Sequence, residues 1–124
     1  MSFVVIKAFS ALMLFDLYIT RNDFAALHAK VRNCPVRRTN VCPDTIERIC
    51  AAVEMASIWY WKNVLCLQRS AATVWMLRYH GISAELVIGA QQIPFRAHAW
   101  VEVNGCVVND KLDMRKLYDV LDRC

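Results

Sequence analysis

The pattern of apolar and polar positions predicts a helical first half. A nearly continuous apolar run predicts a helix over residues 3–19, and Asn22 or Asp23 can cap a second helix that ends near Ala29. Polar residues and a proline then predict a loop over residues 33–43.

Two further helices are predicted before the pattern changes. The third begins at Pro43, which suits a first helical turn, and ends near Trp59 or Trp61. The fourth begins near Cys66 and ends at Gly81, which suits a left-handed C-terminal position. The apolar face of the third helix recurs at helical spacing and consists of Ile46, Ile49, Cys50, Val53 and Ser57.

After the fourth helix the apolar period shortens to two residues, which is typical of strands. Residues 82–88 predict a strand that Gly89 closes. Residues 95–103 and 106–110 predict a hairpin around Asn104-Gly105, because this dipeptide favours a tight two-residue turn.

The order of the elements indicates the fold class. A short terminal helix is predicted over roughly 113–122. N-terminal helices, a helix that carries Cys66 and a small antiparallel sheet together imply an α+β fold. We expect residues 1–124 to form one domain, with an apolar helical part at 1–40 and a core at 41–124.

The apolar N-terminal segment is too interrupted to span a bilayer. Lys7 and Asp16 leave a short uncharged run, and no signal-cleavage motif follows a basic start. We therefore expect a helix that packs in the core or docks a partner, and contact with a membrane surface is the weaker alternative.

Composition and charge narrow the class of protein. Hydrophobic residues make up 57% and charged residues 21%, with three glycines and three prolines, which excludes a disordered chain or a flexible linker. The net charge of +4 is scattered except at Arg32 and Val36-Arg37-Arg38. No groove-reading motif accompanies it, so we expect no nucleic-acid partner, and an acidic peptide is an alternative target.

The six cysteines bear on the redox state. None forms a CxxC pair, so the spacing of a zinc knuckle is absent. Cys50 and Cys106 are expected to be small buried side chains. Cys34 and Cys42 flank the loop and could pair in an oxidising compartment. We expect a reduced, cytoplasmic protein, because the remaining sequence can form a core without disulfides.

Cys66, His98 and Asp110 occur in the order, and on the elements, that a cysteine hydrolase requires. The first turn of a helix stabilises a thiolate through its dipole and free N–H groups, and Asn63 precedes this turn as a candidate cap. A strand would hold the imidazole of His98 in one orientation. The three residues form a candidate catalytic triad.

The predicted hairpin relates the histidine to the aspartate. If Val103 pairs with Cys106, the strand partner of His98 lies near residue 111. Asp110 is one position away, within contact distance if the hairpin contains a bulge or a slip.

Each of these residues also has an ordinary interpretation, as a small buried cysteine, a surface histidine or a turn aspartate. A metal site would need a further ligand, for which Cys106 is the candidate, but the ligand spacing is absent and we expect no metal or cofactor. His28 and His80 are weaker candidates, since the first has no thiol nearby and the second complements a helix dipole.

Four large side chains lie close to the candidate site in the sequence. Trp59, Trp61 and Trp100 are expected to pack in the core. Gln68, within the fourth helix, could simply face solvent.

Five segments in the second half of the chain together form the pattern of a known family. They are Cys66-Leu67-Gln68-Arg69-Ser70, Leu77-Arg78-Tyr79-His80-Gly81-Ile82, Leu86-Val87-Ile88-Gly89, Phe95-Arg96-Ala97-His98-Ala99-Trp100-Val101-Glu102 and Asn109-Asp110. In this combination the chain resembles the lasso-peptide leader peptidases of the transglutaminase-like cysteine protease superfamily. The resemblance covers roughly residues 40–112.

The resemblance implies an activity, partners and residue roles. Such peptidases remove the leader from a ribosomal precursor peptide, with Cys66 as nucleophile, His98 as general base and acid, and Asp110 as orienter. The chain resembles the split form, which implies a separate leader-recognition protein, and an ATP-dependent lasso cyclase is a further candidate partner. Two alternatives stay open: another acyl-transfer enzyme, such as a transglutaminase or amidase, and a non-catalytic interaction module.

Overall fold

A computed structural model describes the following parts of the chain: residues 3–21, 24–33, 43–61, 64–92, 95–103, 105–109 and 118–124. The first four predicted helices are present, with ends that differ from the prediction by at most three residues. Gly81 follows the fourth helix with a φ of 82°, which confirms the left-handed position. The helices are α1 (Phe3–Thr20), α2 (Phe24–Arg32), α3 (Pro43–Trp59) and α4 (Cys66–Tyr79).

In the described part of the chain, four strands form one antiparallel sheet in the order β3-β2-β1-β4. They are β1 (Ala84–Gln92), β2 (Phe95–Val103), β3 (Cys106–Val107) and β4 (Asp119–Arg123). The hairpin register is as predicted, since Val103 pairs with Cys106. Helices followed by this sheet confirm the α+β fold class.

Two of the predicted strand ends were wrong. Gly89 does not close its strand, because β1 continues to Gln92 while Gly89 pairs with His98. The second hairpin strand ends at Val107 and does not reach residue 110. Beyond Val107, the N–H of Val101 donates to the side-chain Oδ1 of Asn109 at 2.8 Å. In a longer strand a backbone carbonyl would accept this hydrogen bond.

The predicted terminal helix over 113–122 was also wrong in the part that the structure describes, whereas residues 113–117 lie outside the described residues. Residues 119–123 form β4, which pairs with β1 through a bulge at Ile88/Gly89. The helical pattern of this segment is weak, and the open edge of β1 needs hydrogen-bond partners. Pairing with β1 therefore determines its conformation.

The main core lies between the helices and one face of the sheet. Leu12 and Phe15 of α1 are fully buried, so the apolar N-terminal helix is a core element. Strand β2 contributes Ala99, Val101 and Val103 to this core. Their side chains alternate along the strand with those on the opposite face of the sheet. That opposite face carries a smaller cluster of Val87, Trp100 and Val107, with Tyr118 packed against it. Among the described helices, none is long and apolar enough to cross a membrane.

Candidate active site

Cys66 is the first residue of α4. The preceding residue, Leu65, is the N-cap with an extended backbone (φ −75°, ψ 154°), and it has no side-chain oxygen to cap the helix. The first-turn N–H groups therefore lack an intrahelical acceptor beside the thiol. The predicted cap, Asn63, does not occupy the N-cap position and lies outside the described residues.

His98 lies in the middle of β2, opposite Gly89 of β1. Its ring stacks on Trp100 with 6.2 Å between centroids, and it lies 5.5 Å from the ring centroid of Tyr118. The missing side chain of Gly89 makes this packing possible, since a Cβ there would lie 2.6 Å from the Cη2 of Trp100.

Two polar side chains connect α4 to β2. Ser70 Oγ donates to the carbonyl oxygen of Ala99 at 3.0 Å, and Asn109 Nδ2 donates to Ser70 Oγ at 3.1 Å. Asn109 also accepts from the N–H of Val101, so it closes the edge of β2 beyond the short strand β3. The helix of the candidate nucleophile is thereby connected to the residue that follows His98.

The direction of α4 determines which part of β2 lies beside Cys66. At the far end of α4, Arg78 Nε donates to the carbonyl oxygen of Ala84 at 3.0 Å, and Ala84 pairs with Val103. Together with the Ser70 contact to Ala99, this means that α4 and β2 run in the same direction. Four helical residues rise about 6 Å and two strand residues about 7 Å.

Cys66 is four residues before Ser70 on α4, and Ala97 is two residues before Ala99 on β2. The two rises match, so we expect Cys66 to lie near the level of Ala97, which precedes His98 in the chain. The structure thus brings the start of α4 to the part of β2 that carries the candidate base.

The two side chains lie on different sides of β2. The thiol of Cys66 packs against the helical core, whereas the imidazole lies on the face of Trp100. Within the described residues, β3 pairs only with Glu102 and Val103, so it covers the far end of β2 and not the part beside Cys66. Asp110 lies outside the described residues, and the triad stays a prediction.

A buried carboxylate fixes the aromatic ring behind His98. Trp100 Nε1 donates to Glu102 Oε2 at 2.8 Å, and Arg123 Nη1 donates to Glu102 Oε1 at 2.8 Å. Glu102 is only 1% exposed, so these hydrogen bonds and the opposite charge offset its desolvation.

A second polar cluster lies on the other side of α4. Gln68 is 1% exposed and donates to the carbonyl oxygen of Leu12 at 2.8 Å, so the interpretation that it faces solvent was wrong. Tyr60 donates to Asp16 Oδ2 at 2.8 Å. Burial, and then this carboxylate, raise the pKa of Tyr60 above its usual range.

The tryptophans differ in their surroundings. Trp100 is fully buried, as predicted, but Trp59 and Trp61 are each 64% exposed, so the prediction of core packing was wrong for these two. Trp61 stacks on Tyr60 at 4.2 Å between centroids. A cavity of about 620 Å³ opens beside them, lined by Glu54, Ser57, Ile58, Tyr60, Trp61, Val64 and Arg69.

Cys50, Cys66, Cys106 and Cys124 are free thiols in the described part of the chain. Cys106 is exposed, so its predicted burial on the strand was wrong, because it lies at the outer edge of the sheet. Cys50 is half-buried, and burial, with a contribution from Glu54, raises its pKa to about 11. Cys34 and Cys42 lie outside the described residues. No group of three or more metal-ligating side chains occurs in the described ranges.

The sequence did not reveal Ser70, Asn109, Arg69 or Glu102 as parts of this region. A serine one turn after the nucleophile, on an otherwise apolar helix, was the available signal for Ser70. For Glu102 the signal was its position, because an acidic residue four places after His98 on a strand lies on the same face of the sheet.

Comparisons with known proteins agree with this architecture. The family model described as "Transglutaminase-like superfamily" matches residues 10–123. The "Microcin J25-processing protein McjB" of Escherichia coli is 45% identical over 56 residues, a segment that covers 45% of this chain and 27% of the relative. No solved structure is significantly similar to the chain.

Proposed function

Because the chain belongs to the transglutaminase-like superfamily, we propose that it is a cysteine peptidase that removes the leader of a lasso-peptide precursor. The name of the E. coli relative, which refers to processing, supports this role. The observation that carries the proposal is the alignment of Cys66, at the start of α4, with the part of β2 that bears His98.

In the proposed reaction, His98 takes the proton of Cys66 and the thiolate attacks the carbonyl carbon of the scissile bond. The free N–H groups of the first turn of α4 are suited to hold the oxyanion of the tetrahedral intermediate. His98 then gives its proton to the leaving amine, and water hydrolyses the thioester to release the leader as a carboxylate. Asp110 would hold the imidazole in one tautomer.

This mechanism requires the imidazole to reach the thiolate around the edge of β2. The side chains of Ser70 and Asn109 close that edge at Ala99 and Val101, one and three residues beyond the histidine. For the pair to form, the His98 imidazole would have to leave its contact with Trp100.

The proposed partners are the precursor peptide, a separate leader-recognition protein and, downstream, the ATP-dependent lasso cyclase. Large apolar side chains exposed on α1 and at the end of α3 suit contact with another protein, since such patches commonly mark interfaces. They include Ile6, Met13, Leu17, Ile58, Trp59 and Trp61. A cytoplasmic location is part of the proposal.

A second candidate is transfer of an acyl group to an amine, because the matching family is named for transglutaminases. The same thioester would then react with an amine in place of water. The mass of the product distinguishes the two reactions: hydrolysis adds water and cleaves the chain, whereas crosslinking loses ammonia and forms a new amide.

The test uses the purified protein, the precursor encoded beside its gene and the leader-binding protein. We expect Cys66→Ala and His98→Ala to leave the precursor intact and still to bind it. Cys106→Ala, which removes an exposed cysteine, is the matched control and should cleave at the wild-type rate. Cleavage at the wild-type rate by Cys66→Ala would exclude the proposed nucleophile.

A further inference from the structure

Arg69 lies beside the candidate nucleophile on the same face of α4. Residues three apart on a helix are neighbours, so Arg69 follows Cys66 by about one turn. Helical side chains incline towards the N-terminus, which directs the Arg69 side chain towards the turn that carries the thiol.

Arg69 also lines two adjoining cavities. The first, of about 620 Å³, lies between the end of α3 and the start of α4 and includes Trp61 and Val64. The second, of about 370 Å³, extends to Thr73 and Asn109. Both volumes lie in the range of ligand-binding pockets. Because the cavities share Arg69 and Glu54, they form one groove, which extends from the exposed ring of Trp61 to Asn109.

The guanidinium of Arg69 has an unused donor. Its Nε is buried and has no hydrogen-bond partner in the described part of the chain. Glu54 lines the same cavities, yet the two side chains form no ion pair within the described residues. A buried donor without an acceptor is unfavourable, so a ligand that draws the Arg69 side chain into the groove and supplies an acceptor to this N–H would be stabilised.

The planar guanidinium is suited to one class of acceptor. Its donors match the two oxygens of a carboxylate in a pair of parallel hydrogen bonds, and the charges are opposite. Hydroxyl or amide oxygens would use only one donor and leave the charge unpaired.

We propose that Arg69 binds a carboxylate of the peptide that occupies this groove, close to the bond that Cys66 attacks. This inference rests on the proposed peptidase function. The carboxylate can come from an acidic side chain near the cleavage site or from the new terminus of the released leader.

The decisive test measures alkylation of Cys66 by iodoacetate, which carries a carboxylate, and by neutral iodoacetamide. Peptide mass mapping gives the rate at Cys66 for each reagent. At a separation of one helical turn, loss of the positive charge should lower the iodoacetate-to-iodoacetamide ratio about threefold to tenfold in Arg69→Gln. Arg69→Lys, which keeps the charge but not the planar group, should give an intermediate ratio.

Arg32→Gln is the matched control. It removes the same charge from the end of α2, which contacts the far end of α4 through Arg78 and Val31. That end lies about 18 Å along the helix from Cys66, beyond the screening length of physiological salt. Circular dichroism verifies that each variant is folded. If Arg69→Gln changes the ratio no more than Arg32→Gln does, the proposal is wrong.

Two further assays identify the source of the carboxylate. If an acidic side chain binds, Arg69→Gln raises KM for the precursor but not for a precursor whose acids near the cut are replaced by amides. If the product binds, Arg69→Gln weakens inhibition by the leader acid but not by the leader amide. A reactive Cys66 that selects iodoacetate yet leaves the precursor intact would contradict the peptidase function and not the carboxylate site.

Discussion

The hydroxyl of Ser70 donates to the carbonyl oxygen of Ala99 at 3.0 Å, and so a helix side chain takes the place of a neighbouring strand at the edge of β2. Asn109 completes the arrangement by donating to the same hydroxyl and accepting from Val101. This connection aligns the start of α4 with the strand of His98, and it is the first target for mutation.

Ser70→Ala is expected to lower the free energy of unfolding by about 1–3 kcal/mol, because it leaves the Ala99 carbonyl and the Asn109 amide without their partner. Cleavage of the precursor should also slow, since the alignment of Cys66 with His98 depends on the same connection. Urea denaturation and a cleavage assay measure the two effects. Ser10→Ala is the control: the Ser10 hydroxyl donates to the carbonyl oxygen of Ile6 within its own helix, at 3.1 Å, and its loss should cost little. Equal effects of the two substitutions would contradict the role given to Ser70.

Arg123→Gln is expected to destabilise the protein by about 1–3 kcal/mol, because it leaves the buried carboxylate of Glu102 without its positive partner. The effect is moderated by solvent, since the Arg123 side chain is 36% exposed. Adding Glu102→Gln should recover part of the loss, as measured by a double-mutant cycle in urea. Arg32→Gln serves as the control, because its pair with Asp122 at 3.5 Å is exposed and should contribute less than about 1 kcal/mol. A loss for Arg123→Gln as small as that of the control would argue against a structural role for the buried pair.

Gly89→Ala is expected to displace Trp100 and to destabilise the protein by about 1–3 kcal/mol through overpacking. The added Cβ would lie 2.6 Å from Trp100 Cη2 and 2.9 Å from Tyr118 Cβ, and the indole cannot retreat while Glu102 holds its N–H. Near-ultraviolet circular dichroism and urea denaturation report the change. Ala97→Ser, at an exposed position of the opposite strand, should leave both signals unchanged. An unchanged tryptophan signal in Gly89→Ala would show that the space is larger than the structure indicates.

The thiol of Cys50 should make stability depend on alkaline pH. Burial, and then Glu54, raise its pKa from 9.0 to about 11, so the folded state favours the protonated thiol. Its contribution is complete below about pH 9 and is lost as pH rises through about 11. With an allowance for partial exposure, this loss is about 1–2 kcal/mol. In Cys50→Ala, the decrease in unfolding free energy between these pH values should be smaller by that amount. Cys106→Ala, at an exposed thiol, should follow the wild-type curve.

The helices and the Asn104-Gly105 hairpin could be predicted because each depends on a local pattern. Helical periodicity located the start of α4 at Cys66, and the turn fixed the pairing of Val103 with Cys106. The strand at 119–123 could not be predicted in this way, since the unpaired edge of β1 determines its conformation.

The candidate site was predictable only in outline. A cysteine at a helix start and a histidine on a strand are visible in the sequence, but the alignment of their elements depends on Ser70 and Asn109, whose residue types suit many environments. The exposure of Trp59 and Trp61 was not predicted, because the apolar character of a side chain does not show whether the rest of the chain covers it.

The sheet order β3-β2-β1-β4 also has a consequence during synthesis on the ribosome. β1 receives its second neighbour only from residues 119–123, and Leu86 exchanges backbone hydrogen bonds with Cys124 at 2.8 and 2.9 Å. The helix of Cys66 and the strand of His98 therefore emerge while one edge of β1 still lacks its partner. A nascent chain that ends before residue 119 presents this open edge to other chains, so we expect C-terminal truncations to aggregate before they lose their helices.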